Sequence, residues 1–192
     1  TKFDLSEQQI YTIGDTTKDL LSRLENDVTI YIICESGKED RNVFDLAENY
    51  ASENSHIKIK TVDPALEPTF VGQYTTDQLT SNSMIVESEK RNTVIYADSL
   101  YMYYLNDLGY AVSISEYQQL RYSYYYSYGM DLSATPMYYG EQAITSSIDY
   151  VVTDNIPVMY YTAGHGEAAV GNSYQTIISD ENIEYKSINL DS

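Results

Sequence analysis

The sequence lacks most of the residues from which disulfides, metal sites and thiol chemistry are built. Its 192 residues include no Trp, two His and a single cysteine, Cys34. One cysteine excludes an intramolecular disulfide but does not decide the compartment, since cytosolic proteins and Gram-positive surface proteins both manage without disulfides. Hydrophobic residues make up 43%, which is enough for a folded core, and the length fits one large domain or two small ones.

Basic side chains are also scarce. Eleven Lys and Arg stand against 29 Asp and Glu, so the net charge is −18. Nucleic-acid binding requires the opposite sign, because affinity comes largely from neutralising phosphates, and an anionic membrane surface would repel this chain. We therefore expect no nucleic-acid partner. The charge favours solubility; a cation-binding surface is the alternative, although the sequence has no EF-hand pattern.

No apolar run reaches the roughly 18 residues that a membrane helix needs. The longest runs, residues 28–34 and 156–161, have the length of strands. The first residues also lack the basic and apolar regions of a signal peptide. We expect this stretch to be soluble, and the pattern is compatible with membrane anchors beyond either end.

Hydrophobic periodicity predicts an α/β protein. The β-branched run 28–33 predicts a strand buried on both faces, and the alternating run 57–62 predicts a half-exposed strand. A helix over 40–52 joins them, so the strands should be parallel with a right-handed crossover. A short helix over 69–80 and a hairpin of strands 83–87 and 93–97 should follow. This order, with a helix before the first strand, is the thioredoxin-like arrangement.

The rest of the chain predicts a connector and a second unit. Residues 99–139 have weak periodicity and are predicted to be a connector with a helix within 115–126. The predicted elements beyond it are a helix over 140–152, a buried strand over 157–161, a helix over 168–179 and a strand over 183–190. One βαβ unit cannot cover both faces of a parallel sheet, so the unit is truncated or joins the first sheet. The predicted domains are 1–98, 99–139 and 140–192.

Tyrosine is the abundant residue. There are 22 Tyr and only three Phe, and ten of the tyrosines lie between residues 101 and 128. Tyr has an apolar body and a polar tip, so the cluster predicts a contact surface for a protein partner or a sugar. Biased composition in a half-buried segment is the alternative. The candidate contact residues are Tyr122, Tyr124, Tyr125, Tyr126 and Tyr128.

A turn in the C-terminal part is the main candidate ligand or partner site, Gly164-His165-Gly166-Glu167. It follows a predicted strand, and open α/β sheets bind ligands beyond the carboxyl ends of their strands. The glycines permit a sharp turn, in which at least one of them should have a positive φ, and Glu167 suits a helix N-terminus. His165 and Glu167 would act as base and orienter or as metal ligands; a purely structural turn is the alternative. No H-E-x-x-H set is present, and we expect no metal or cofactor.

Cys34 ends a predicted central strand, where thioredoxin-like folds carry redox chemistry. The following residues, Glu35-Ser36-Gly37, provide no C-x-x-C, and a neighbouring acid raises the pKa of a thiol. A buried structural thiol is therefore the favoured interpretation. No nucleophile elbow, Walker A loop or G-x-G-x-x-G occurs, so we expect a non-catalytic protein. The alternative is a hydrolase or thiol-redox enzyme that uses His165 and Glu167, or Cys34.

Several segments, taken in order, resemble GldG-type proteins, the gliding-motility-associated auxiliary proteins of ABC transporters. Each segment alone is a weak signal, and their order and spacing are more specific. The resemblance covers both ends of the chain and is poor in the Tyr-rich middle. The segments are residues 3–6 (FDLS), 11–13 (YTI), 17–21 (TKDLL), 28–31 (VTIY), 62–64 (VDP), 140–145 (GEQAIT), 148–151 (IDYV) and 162–167 (TAGHGE).

The resemblance implies a thioredoxin-like first domain and a partial Rossmann- or flavodoxin-like, glutamine-amidotransferase-like second one. It also implies a membrane-anchored full-length protein, with most of the chain at the extracytoplasmic face. The implied partners are ABC transporter membrane subunits. We therefore expect a non-catalytic interaction module. A carbohydrate-binding domain that uses the Tyr-rich segment is a further alternative.

Overall fold

The computed structural model describes residues 13–164, 166 and 183–189. The chain divides into two compact units, the first ending at Val151 and the second beginning at Val152. The described part contains both helices and strands along its whole length, which confirms the α/β class. No helix among these residues is long and apolar enough to cross a membrane. The helices are α1 (Asp15–Ser22), α2 (Arg41–Glu53), α3 (Ile114–Tyr128) and α4 (Gly140–Val152).

The first unit contains a four-stranded mixed sheet of order β2-β1-β3-β4. β1 and β2 are parallel, and β3 runs antiparallel to both β1 and β4. β1 lies inside the sheet and is largely buried, whereas β2 lies at an edge and alternates towards solvent, as the two sequence patterns predicted. The predicted parallel pair followed by a hairpin is confirmed. The strands are β1 (Val28–Ile33), β2 (Ile57–Val62), β3 (Ser83–Ser88) and β4 (Asn92–Ile95).

The helix predicted over 69–80 is wrong. The structure has only one 3-10 turn there, Val71–Gln73. Gly72 lies inside that turn, and a glycine costs a helix about 1 kcal/mol relative to alanine. Thr75, Thr76 and Asp77 follow, and such side chains favour turns and extended backbone over helix.

The predicted connector over 99–139 is a folded layer. Three antiparallel strands form a sheet of order β6-β5-β7, and α3 packs against it. The helix predicted within 115–126 is confirmed as α3, which Ser113 caps by accepting a hydrogen bond from the Glu116 amide. Gly129 ends α3 in the left-handed conformation, with φ 67°. The strands are β5 (Tyr101–Leu105), β6 (Tyr110–Ser113) and β7 (Ala134–Tyr138).

The predicted domain boundary at residue 140 is corrected, because α4 packs within the first unit. Ile144, Ile148 and Val151 line its inner face and are fully buried. At its C-terminus, the Ser88 hydroxyl on β3 donates to the Val151 carbonyl at 2.5 Å. The amphipathic pattern of this helix predicts that one face is covered, but it does not say which sheet covers it.

The second unit contains a pair of parallel strands, β8 (Val158–Ala163) and β9 (Glu184–Asn189), with Val158 opposite Glu184. The predicted parallel pairing is therefore confirmed. The prediction that the first of these strands is buried is wrong, because β8 alternates between exposed and half-buried residues. The helix predicted over 168–179 lies outside the described residues, and the Rossmann- or flavodoxin-like assignment stays a prediction.

A buried polar network joins α1, α2 and α4. The Tyr50 hydroxyl on α2 donates to the Glu141 carbonyl at 2.9 Å and lies 2.6 Å from Thr145 Oγ1. The Thr17 hydroxyl on α1 donates to the Glu141 carboxylate at 2.9 Å. The same carboxylate accepts the Gly14 amide at 2.7 Å and so caps α1, whose own N-cap residue has no side chain.

Replacing Tyr50 with Phe removes the hydroxyl from this network and keeps the ring in the core. We expect Tyr50→Phe to lower the free energy of unfolding by about 1–3 kcal/mol, because buried partners of the hydroxyl lose a hydrogen bond. Urea denaturation measures the loss. Tyr126→Phe is the matched control at an exposed tyrosine and should unfold like the native chain. Equal unfolding midpoints for both variants would show that the network contributes nothing.

Candidate functional site

The glycines of the predicted G-H-G-E turn have the backbone that we predicted. Gly164 directly follows β8 with φ 111°, and Gly166 has φ 86°. A Cβ on Gly164 would lie 2.7 Å from Asn189 Oδ1, whereas a Cβ on Gly166 would meet nothing within 4 Å. His165 and Glu167 lie outside the described residues, so their roles in a site stay predictions.

Cys34 is buried, as predicted, with 2% of its surface exposed. Burial, followed by the charge of Glu39, raises the pKa of its thiol. The Asn82 amide group holds the loop over it, since Nδ2 donates to the Lys38 carbonyl and Oδ1 accepts the Asp40 amide, both at 2.9 Å. Asn82 adopts φ 73°, which Asn tolerates better than most residues. Its role was not predicted from the sequence.

The structure divides the five candidate tyrosines into two groups. Tyr124 is half-buried and packs against the small core formed by Leu105, Val112 and Leu132, and its place in a contact surface stays a prediction. The other four are exposed, by 59–72% of their surface. They are Tyr122, Tyr125, Tyr126 and Tyr128.

A cavity of about 820 Å³ lies beside α3, and we call it the tyrosine groove. Tyr103 from β5 and Asp131 from the segment after α3 line it on one side. Residues spaced at three or four positions line it along the helix, because that spacing places side chains on one face. The lining residues on the helix are Ile114, Tyr117, Gln118, Arg121, Tyr122 and Tyr125.

The walls of the tyrosine groove are fixed by contacts within the first unit. The rings of Tyr103 and Tyr117 stack with centroids 4.2 Å apart, and the Tyr117 hydroxyl donates to the Leu132 carbonyl at 3.2 Å. Arg121 donates to both oxygens of Asp131 at 2.5 and 2.6 Å. The hydrogen bond from the guanidinium lowers the pKa of the Asp131 carboxyl, so this carboxylate stays charged at neutral pH and in mildly acidic solution.

The face of α3 is electrically neutral, in contrast to the whole chain. Of its 15 residues only Glu116 and Arg121 are charged, against a net charge of −18 for the protein. None of its residues is fully buried. The helix therefore presents aromatic rings, hydroxyls and two amide side chains, Gln118 and Gln119, on a surface where the remaining protein is acidic.

A second, more open cavity of about 1020 Å³ lies where β1 and β2 end. Glu35 and Lys38 form an ion pair at its rim, 2.7 Å apart, and Pro64 and Pro68 line it. Across the described ranges, no three His, Cys, Asp or Glu side chains are grouped so that they could hold a metal ion.

Comparison with known families matches the N-terminal half of the chain. A family model described as a domain of unknown function, DUF7088, matches residues 7–103 of the 192. No curated protein matches the chain. The match runs from before α1 into β5, so α3 lies beyond it.

The different surroundings of Gly164 and Gly166 in the turn can be tested by replacing each glycine with alanine. Ala at either position adopts a left-handed backbone that costs about 1–2 kcal/mol. Gly164→Ala also forces the Asn189 side chain to move, so we expect it to destabilise the β8–β9 pair more than Gly166→Ala does. Hydrogen exchange of the β8 and β9 amides measures the difference. Equal protection in the two variants would contradict the observed packing of Gly164.

Cys34 should react slowly in the folded protein, because a thiol reacts as the thiolate and burial favours its neutral form. We expect iodoacetamide to label it at least about tenfold more slowly at pH 8 than in urea. A Cys34→Ser protein that also carries Ser36→Cys provides the control, since position 36 is exposed and lies two residues away. Equal native labelling of positions 34 and 36 would show that Cys34 is accessible.

Proposed function

The chain belongs to the DUF7088 family, and from that premise we propose that it is a non-catalytic interaction module of an ABC transporter accessory protein. In this proposal the full-length protein is anchored in the membrane, and this part lies at its extracytoplasmic face. Its partners are the ABC transporter membrane subunits. The proposal also includes the thioredoxin-like character of the first unit.

One observation carries the proposal of an interaction module: four tyrosines of a single helix are exposed by 59–72%. Tyrosine provides a large, rigid contact area at low cost in conformational entropy, and aromatic residues are enriched in protein interfaces. Exposed aromatic surface of this size on one helix is uncommon unless it contacts a partner. The geometry of α3 therefore favours binding over catalysis.

The choice of partner rests on the segments that resemble GldG-type proteins. Among the described residues, those segments lie in α1, β1 and α4 and at the end of β2, so along the sequence they precede and follow the Tyr-rich layer. The thiol-redox alternative has weaker support, because Cys34 is buried beneath the loop that Asn82 holds. The G-H-G-E alternative depends on His165 and Glu167 and stays a prediction.

Purification of the full-length protein from membranes tests the proposal. We expect ABC transporter membrane subunits to co-purify with the native protein, and a Tyr126→Ala, Tyr128→Ala double variant to recover at least about tenfold less of them. Tyr160→Ala is the control, since this exposed tyrosine lies on β8 in the second unit. Absence of the transporter subunits, or a full-length gene without a membrane helix, would contradict the proposal.

A further inference from the structure

We propose that the tyrosine groove binds a neutral saccharide. This inference rests on the proposed function in one respect, since it assigns a ligand class to one face of the same helix. The groove volume of about 820 Å³ falls within the roughly 300–1,000 Å³ range of small-ligand sites. Such sites combine apolar walls with a few well-placed polar groups, and the tyrosine groove contains both.

The aromatic walls suit the ring of a sugar. The carbon-bound hydrogens of a pyranose ring form a weakly positive, apolar face, and an aromatic face is weakly negative, so the two pack together. Tyr122 and Tyr125 line the groove and remain 66% and 59% exposed, which leaves ring surface for a ligand. The rings of Tyr103 and Tyr117 also line the groove, and they stack with centroids 4.2 Å apart.

The polar groups suit hydroxyls. A sugar hydroxyl both donates and accepts, so neighbouring hydroxyls match a wall with donors beside acceptors. The bonds of Arg121 to Asp131 use two of the five guanidinium N–H donors, and each Asp131 oxygen has a further lone pair. Gln118 adds an amide with one acceptor oxygen and two donor hydrogens.

Charge argues against the other ligands that aromatic grooves accept. An acidic peptide or sugar would approach a protein of net charge −18, and the one cation of the groove, Arg121, is already paired with Asp131. A basic peptide would gain little from Asp131, because Arg121 already neutralises the charge of that carboxylate. A proline-rich segment has carbonyl acceptors but no backbone N–H, so it offers Asp131 no donor. A neutral ligand with many hydroxyls matches all of these groups.

Calorimetric titration of the whole chain tests the inference with three probes: cellohexaose, laminarihexaose and chitohexaose. We expect at least one hexaose to bind with a Kd of about 1 mM or tighter. Tyr122→Ala should weaken that binding by at least about tenfold, because a stacking ring is lost. Asp131→Asn, which keeps the shape of the side chain and breaks the ion pair, should also weaken it.

Tyr128→Ala is a closely matched control. Tyr122 and Tyr128 lie on the same helix, are each 66% exposed, and contact one neighbouring tyrosine ring at 4.6 and 4.7 Å respectively. Of these two tyrosines, only Tyr122 lines the groove. Tyr128→Ala should therefore bind the hexaose as the native chain does, and circular dichroism should show that both variants are folded.

Three results would overturn the inference. The first is that none of the three hexaoses binds, and the second is that Tyr122→Ala and Tyr128→Ala weaken binding equally. The third is that a proline decamer binds in the groove and the hexaoses do not, which would identify an extended peptide as the ligand. Transporter subunits that co-purify in the absence of sugar binding would refute this inference alone. Sugar binding without transporter subunits would refute only the function proposed above.

Discussion

The first unit depends on the buried contact between α2 and α4. Tyr50 is fully buried, and its hydroxyl ties α2 to the first turn of α4 through Glu141 and Thr145. Because α4 also covers the sheet with Ile148 and its neighbours, this contact fixes the helix in place. A buried hydroxyl is costly without partners, so the network selects one arrangement of the helices.

The position of α4 decides how the Tyr-rich layer is held. After β4 the chain leaves the first sheet, forms the Tyr-rich layer and then continues as α4. The first and last strands of that layer, β5 and β7, pair directly with each other. Tyr101 lies opposite Tyr138 in the β5–β7 register, with the rings 5.0 Å apart. The Tyr101 hydroxyl donates to Asp40, the N-cap of α2, at 2.6 Å. The layer that contains α3 is therefore attached to the rest of the first unit where β5 and β7 pair, and α3 itself remains exposed.

This attachment explains how a neutral, aromatic groove occurs on an acidic protein. The small core of Leu105, Val112 and Leu132 holds α3 against its own sheet through Tyr117 and Tyr124. The remaining tyrosines are not needed for that packing and face outwards. The Arg121–Asp131 pair ties the segment after the helix to α3, so contacts within the first unit hold this part of the groove in place.

The sequence by itself determined those features that depend on local backbone chemistry and on the contrast between apolar and polar residues. It predicted the buried strand β1, the half-exposed strand β2, the hairpin after them and a positive φ for at least one glycine of the turn that follows β8. It also predicted that Cys34 is buried, since a β-branched run precedes it. Each of these features follows from the period of the hydrophobic residues, from β-branched side chains or from the missing Cβ of glycine.

Only the tertiary structure decided which surfaces meet. The period of α4 predicts an apolar face, but several sheets could cover that face equally well, so its place in the first unit could not be predicted. Tyrosine is both apolar and polar, so β5 had no readable alternation and the groove beside α3 was missed. Tyr122 and Tyr124 belong to the same residue type and lie two positions apart, yet only packing against Leu105 separates the exposed ring from the half-buried one.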